Sequence, residues 1–136
     1  MIQNFITIYK RLLQSIKYDT YRYIYQEFNI KNKLTGLIGP RGTGKTTLLL
    51  QYINEKIDNK DQCIYVTLDH IYFANTLLTD FVNELYEVYV IKIFFFDEIH
   101  KYPNWNQELK NIYDSYPDIK IVFSGSSSID LIKGSY

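Results

Sequence analysis

Gly39-Pro40-Arg41-Gly42-Thr43-Gly44-Lys45-Thr46 is the stretch from which the rest of this chain of 136 residues can be read. It follows Leu34–Ile38, a short apolar run that reads as a buried strand. It opens Thr46–Ile57, where Leu48, Leu49, Tyr52, Ile53 and Ile57 share one helical face. The glycines allow positive φ and let the backbone approach an anion without Cβ clashes. A backbone bent in this way turns its N–H groups inward, and the helix that follows adds the positive end of its dipole. Lys45 would place an ammonium on the β- and γ-phosphates of a nucleotide, and Thr46 would offer a hydroxyl to a divalent cation. The expectation is a phosphate-binding loop made by Gly39, Pro40, Arg41, Gly42, Thr43, Gly44, Lys45, Thr46 and the adjoining Thr47. A strand before it and a helix after it are what a chance glycine-rich turn would lack.

Downstream the same alternation repeats. Cys63–Leu68 reads as a second strand and Thr76–Val88 as a second helix on Leu77, Leu78, Phe81, Val82 and Leu85. Ile91–Phe96 reads as a third strand, apolar on both faces, although Val88–Ile91 holds no residue suited to the turn that must precede it. Trp105, Leu109, Ile112 and Tyr113 mark a third helix with Asn104 placed to cap it, and Ile119–Phe123 a fourth strand. Upstream, Phe5, Ile8, Tyr9, Leu12, Leu13 and Ile16 recur at helical spacing opposite polar residues. That amphipathic helix packs on its own domain or on a partner, the former being the default. Tyr18–Phe28 fits helix and strand equally. Strands apolar on both faces, alternating with helices, give an α/β fold: a three-layer sandwich around a parallel sheet. The reading is a helical segment over 1–30 and a nucleotide-binding core over 31–136.

Four apolar residues lead into Asp97 and Glu98 at the end of the third strand. Ligands in such sheets sit beyond the carboxyl ends of the strands. Asp97 is therefore the candidate for holding Mg²⁺ with Thr46, and Glu98 the candidate general base that polarises an attacking water. The fourth strand ends in Ser124-Gly125-Ser126-Ser127-Ser128, where Ser124 or Ser126 could touch the γ-phosphate or that water. This requires the fourth strand to lie between the first and the third.

These runs resemble the AAA-type ATPases of the AAA_14 group, within the ASCE division of P-loop proteins. The resemblance spans residues 20–136 and rests on Gly-Pro-Arg-Gly-Thr-Gly-Lys-Thr-Thr (39–47), Phe-Phe-Phe-Asp-Glu-Ile-His-Lys-Tyr-Pro-Asn-Trp (94–105), Glu-Leu-Lys-Asn-Ile-Tyr-Asp (108–114) and Phe-Ser-Gly-Ser-Ser-Ser (123–128). It implies ATP rather than GTP, with Mg²⁺, a site of Lys45, Thr46, Asp97 and Glu98, and a sensor serine at Ser124 or Ser126. Members of the group usually run on to a fifth strand, an arginine-bearing segment and a C-terminal domain. Against that pattern this chain reads as an N-terminal fragment, its first strand an exposed sheet edge. Its arginines are Arg11, Arg22 and Arg41, and none is identifiable as a finger acting in trans.

Composition narrows the partners. Lysine plus arginine and aspartate plus glutamate are each 15, a formal charge of zero, which gives no indication of nucleic-acid binding and leaves a local basic patch open. No apolar run reaches the ~20 residues of a membrane span, and no signal peptide is evident. The single cysteine, Cys63, lies in an apolar run and reads as buried packing in a cytoplasmic protein. The abundant tyrosines and phenylalanines fall mostly at core spacing rather than forming a base-stacking surface. His100 reads as a ligand, a sensor or a capping group, His70 as a water-positioning candidate, and Trp105 as a helix anchor. The expected partners are ATP and either further copies of the chain or a missing C-terminal domain. The leading function is an ATPase module. Its competitors are a nucleotide-binding switch with negligible turnover and a small-molecule phosphotransferase, which would need a lid that the residues after the fourth strand are too few to supply.

Overall fold

The structure, a computed structural model, describes residues 2–16, 32–39 and 44–126. In chain order its elements are α1 (Ile2–Ser15), β1 (Leu34–Gly39), α2 (Lys45–Lys56), β2 (Cys63–Thr67), α3 (Leu78–Tyr89), β3 (Ile93–Asp97), α4 (Trp105–Ser115) and β4 (Lys120–Ser126). Tyr18–Phe28, the loop residues Pro40, Arg41, Gly42 and Thr43, and Ser127 and Ser128 lie outside the described residues. The strands form one parallel sheet in the order β1-β4-β3-β2, which seats β4 between β1 and β3 as the site requires.

Side-chain parity sorts the helices onto two faces. Along β3 the rings of Phe94 and Phe96 stack on one face, and Phe95, on the other, meets Tyr52 of α2. Phe96 is in register with Phe123 of β4, whose ring lies 5.5 Å from Trp105 of α4. Thus α2 covers the Phe95 face and α4 the Phe96 face. α3 packs on α4, and α1 on α2 and β2. The three phenylalanines are buried because β3 is central and covered on both sides, which is why its sequence shows no polar alternation. Gly36 on β1 is in register with Phe123, and a Cβ there would come within 2.6 Å of that ring, so the β1–β4 pair accepts only glycine at this point.

α1 joins the same core. Phe5, Tyr9 and Leu13 are buried, the Phe5 ring touches His70, Tyr72, Phe73 and Phe81, and the Tyr9 hydroxyl donates to the Lys60 carbonyl. Burial pushes the Cys63 thiol up to about 12, so it packs as an apolar group rather than reacting as a thiolate.

Two local expectations are corrected. Asn104 stands at the start of α4 but in the left-handed region (φ 59°), and its side chain makes no capping bond. The helix instead begins on the Asn104 carbonyl, which accepts from the Glu108 N–H. The turn missing before β3 is supplied by Val90 in the left-handed region (φ 58°), its N–H closing on the Leu85 carbonyl. A β-branched residue rarely adopts that conformation, so no turn chemistry was readable there.

The first turn of α3 is capped from another helix. Glu108 of α4 accepts from the Thr79 N–H at 3.1 Å and the Thr79 hydroxyl at 2.9 Å, and its other oxygen accepts from the Tyr102 hydroxyl. That Tyr102 oxygen accepts in turn from the Leu78 N–H. A carboxylate at a helix N-terminus gains from both the orphan donors and the dipole. Glu108→Ala should therefore lower stability by about 1–3 kcal/mol in urea unfolding, and Glu108→Gln by less. Equal stability of the alanine variant and the parent would mean that water caps α3 equally well.

Candidate functional site

The strand ends converge because parity and sheet order act together. Tyr65 of β2, Asp97 of β3 and Ser124 of β4 all point to the face that α2 covers, and Thr46 lies in the first turn of α2. The Asp97 carboxylate is buried, with 2% of the residue exposed, and four donors hold it. Thr46 Oγ1 donates to Oδ2 at 2.5 Å, and the Tyr65 hydroxyl donates to the same oxygen. The Ser124 hydroxyl and the Glu98 N–H, the latter at 3.0 Å, donate to Oδ1. Four bonds of this kind replace the hydration that a buried carboxylate loses. Burial, and then the neighbouring Asp97 carboxylate, drives the Tyr65 hydroxyl well above the usual tyrosine range, so it stays a donor.

At the loop's exit, Gly44 has φ 80° and ψ 24°, the left-handed conformation for which glycine is suited, and it leads directly into α2. Lys45 Nζ donates to the Gly39 carbonyl at the end of β1, 2.8 Å away, so the ammonium spans the mouth of the loop. Thr46 and Thr47 are exposed at that mouth. Gly39, Gly44, Lys45, Thr46, Asp97, Glu98, Ser124 and Ser126 thus gather at the carboxyl end of the sheet.

Glu98 itself lies in the left-handed region, φ 54° and ψ 44°. A non-glycine residue held there is uncommon, and such strain tends to cluster where function needs a fixed side chain. The two serines part company. Ser124 is fully buried and turned to Asp97, whereas the Ser126 N–H is directed at Nδ1 of His100, 3.4 Å away. His100 Nε2 lies 3.3 Å from Glu98 Oε2. His70, the water-positioning candidate, has a structural task instead: its Nδ1 accepts from the Tyr72 N–H at 3.0 Å, capping a short turn over Ile71–Ala74, and its ring packs on Phe5.

Tyr65 was not singled out from sequence. The available signal was its polar tip within an apolar strand, two residues from the strand end and on the parity shared with Asp97. One hydroxyl and one carboxylate are oxygen donors suited to Mg²⁺, which takes one or two protein ligands and completes its shell with phosphates and water. Among the described residues no group of three or more His, Cys, Asp or Glu could form an all-protein metal cage. Nor is any described helix long and apolar enough to cross a membrane.

A family model described as AAA domain matches residues 31–135. No curated protein is a significant match. Among solved structures, that of PCH-2 from C. elegans is similar to this chain at a TM-score of 0.49 and 19% sequence identity, covering 98% of this chain and 40% of the PCH-2 chain. The chain thus spans less than half the length of that protein.

Proposed function

This chain belongs to the AAA domain family, a family of nucleotide-binding modules, and we propose that it binds ATP with Mg²⁺ at the carboxyl end of its sheet and hydrolyses the γ-phosphate. The observation that carries this reading is the 2.5 Å bond from Thr46 to Asp97. It joins the glycine-rich loop to the acidic strand end across most of the core, in the relation that a metal-bound triphosphate needs. Thr46 and Asp97 would hold Mg²⁺, the latter directly or through water, and Mg²⁺ when bound neutralises charge on the β- and γ-phosphate oxygens.

The chain's own groups do the rest. Backbone N–H groups of the loop, Gly39, Pro40, Arg41, Gly42, Thr43 and Gly44 among them, cradle the phosphates, and the start of α2 faces them with its positive end. The Lys45 ammonium leaves the Gly39 carbonyl for the β- and γ-phosphates, exchanging a neutral acceptor for an anionic one. Glu98 accepts a proton from the attacking water. Ser124 and Tyr65 keep Asp97 oriented, and Ser126 lies where it can follow the γ-phosphate. An arginine from another copy, or from polypeptide beyond this chain, would stabilise the charge that develops in transfer. The charge balance and lone buried thiol support a cytoplasmic setting.

Thermal unfolding with and without ATP·Mg²⁺ tests the reading. Ligand at ~100 times its Kd should add about 2.7 kcal/mol to the parent's stability. Lys45→Ala should lose that gain while unfolding normally without ligand. Stabilisation that survives intact in Lys45→Ala would sink the phosphate-loop assignment. Stabilisation of the parent without phosphate release would favour a nucleotide switch over an ATPase.

A further inference from the structure

His100 is the one group of the site that the proposed chemistry leaves unused, and it touches two parts of that site at once. It stands in the short 3-10 turn Ile99–Lys101 that follows Glu98, with only 14% of its side chain exposed. Its Nδ1 faces the Ser126 N–H, a group that can only donate, so Nδ1 must present its lone pair. In the neutral imidazole the proton then sits on Nε2, which faces Glu98 Oε2 at 3.3 Å and donates to it. The backbone of β4 therefore selects the tautomer, and the tautomer fixes one oxygen of Glu98.

We propose that His100 is a positioning residue that holds the Glu98 carboxylate by an Nε2–H donation, with its own ring set by the tip of β4. This rests on the reading of Glu98 as the base. Glu98 needs such a hold, since its side chain is 31% exposed and no other side-chain donor to it is found among the described residues. Engaging Oε2 leaves Oε1 to take a proton from water. The ring also links Glu98 to β4 where the strand reaches Ser126, so a shift of that strand end on γ-phosphate binding or loss is transmitted to the base.

Two measurements on the full chain test this. In steady-state turnover, His100→Ala should lower kcat roughly tenfold, part of the ~10²–10⁴ that a general base contributes, with KM and the ATP·Mg²⁺ thermal shift unchanged. His100→Gln, whose amide nitrogen can reach the same oxygen, should recover kcat to within about threefold of the parent, the residual reflecting looser alignment. Unchanged kcat in His100→Ala, or equal losses in both variants accompanied by a lower Tm, would reduce His100 to a packing residue. The second measurement needs no turnover. ¹⁵N NMR of the two histidines, assigned by difference with His70→Gln, should show His100 protonated at Nε2, and Glu98→Gln should perturb that resonance. An Nδ1-protonated ring, or one averaging between tautomers and indifferent to Glu98→Gln, would overturn the proposal. If the parent binds ATP but releases no phosphate, the hydrolytic reading fails, and the NMR result alone decides whether His100 holds Glu98.

Discussion

Glu98→Gln is expected to bind ATP·Mg²⁺ as tightly as the parent and to hydrolyse it about 10²–10⁴ times more slowly. The reason lies in what the substitution preserves. Glutamine has the volume of glutamate and can still accept from His100 Nε2 through its amide oxygen. Its backbone can take the same left-handed conformation at φ 54°, so the Glu98 N–H stays on Asp97 Oδ1. The metal-holding pair Thr46 and Asp97 is untouched. What is lost is the proton acceptor. Single-turnover phosphate release, read beside the nucleotide-dependent thermal shift, separates the two effects. A variant that turns over like the parent would remove Glu98 from the role of base. A variant that neither binds nor hydrolyses would show that Glu98 also supports the loop.

Asp97→Ala should cost the fold about 3 kcal/mol before any ligand is considered, which in a domain of this size is roughly 10 °C in Tm. Removing the carboxylate strands donors that the core has closed over. The Tyr65 and Ser124 hydroxyls are both buried, and a buried donor without a partner costs about 1–3 kcal/mol. Part of this is offset because the alanine variant no longer has to desolvate a charge. Asp97→Asn should be far milder, since hydroxyls can turn to accept from the amide nitrogen while the amide oxygen keeps the Ser124 hydroxyl and the Glu98 N–H. Both variants should lose the Mg²⁺ dependence of nucleotide binding. Calorimetric unfolding of the three proteins checks the order. An alanine variant that melts with the parent would mean that water has entered and satisfied the donors.

The parts of the site visible in the sequence are those that local chemistry dictates. Gly44 had to take a positive φ, Lys45 and Thr46 had to open a helix, and Asp97 had to end a strand apolar on both faces, because each of these depends on its immediate neighbours. The position of β4 between β1 and β3 was also foreseeable, since Ser124 belongs at the site only in that order. Other features hang on contacts between distant segments. Tyr65 reaches Asp97 through strand register, and Glu108 caps α3 from a different helix, so its place in the run 108–114 could not be assigned a task from sequence. His70 was misread because its position after β2 suggested the crevice, while Phe5, more than sixty residues earlier in the chain, draws its ring into the core. Val90 and Glu98 in left-handed conformations run against local preference, and only the packed structure around them holds them there.

The sheet order carries a consequence for how the chain is made. β4 is the last strand to leave the ribosome, yet it sits between two strands made earlier, with Leu34 in register with Ile121 on one side and Phe94 with the same Ile121 on the other. During synthesis β3 can pair with β2, but β1 has no neighbour until β4 arrives, and these contacts close a long loop at a correspondingly high entropic cost. The phosphate loop hangs from β1 and the acids from β3. The two halves of the site therefore have no fixed relation in the nascent chain, and nucleotide should gain a purchase on the protein only after translation has passed β4.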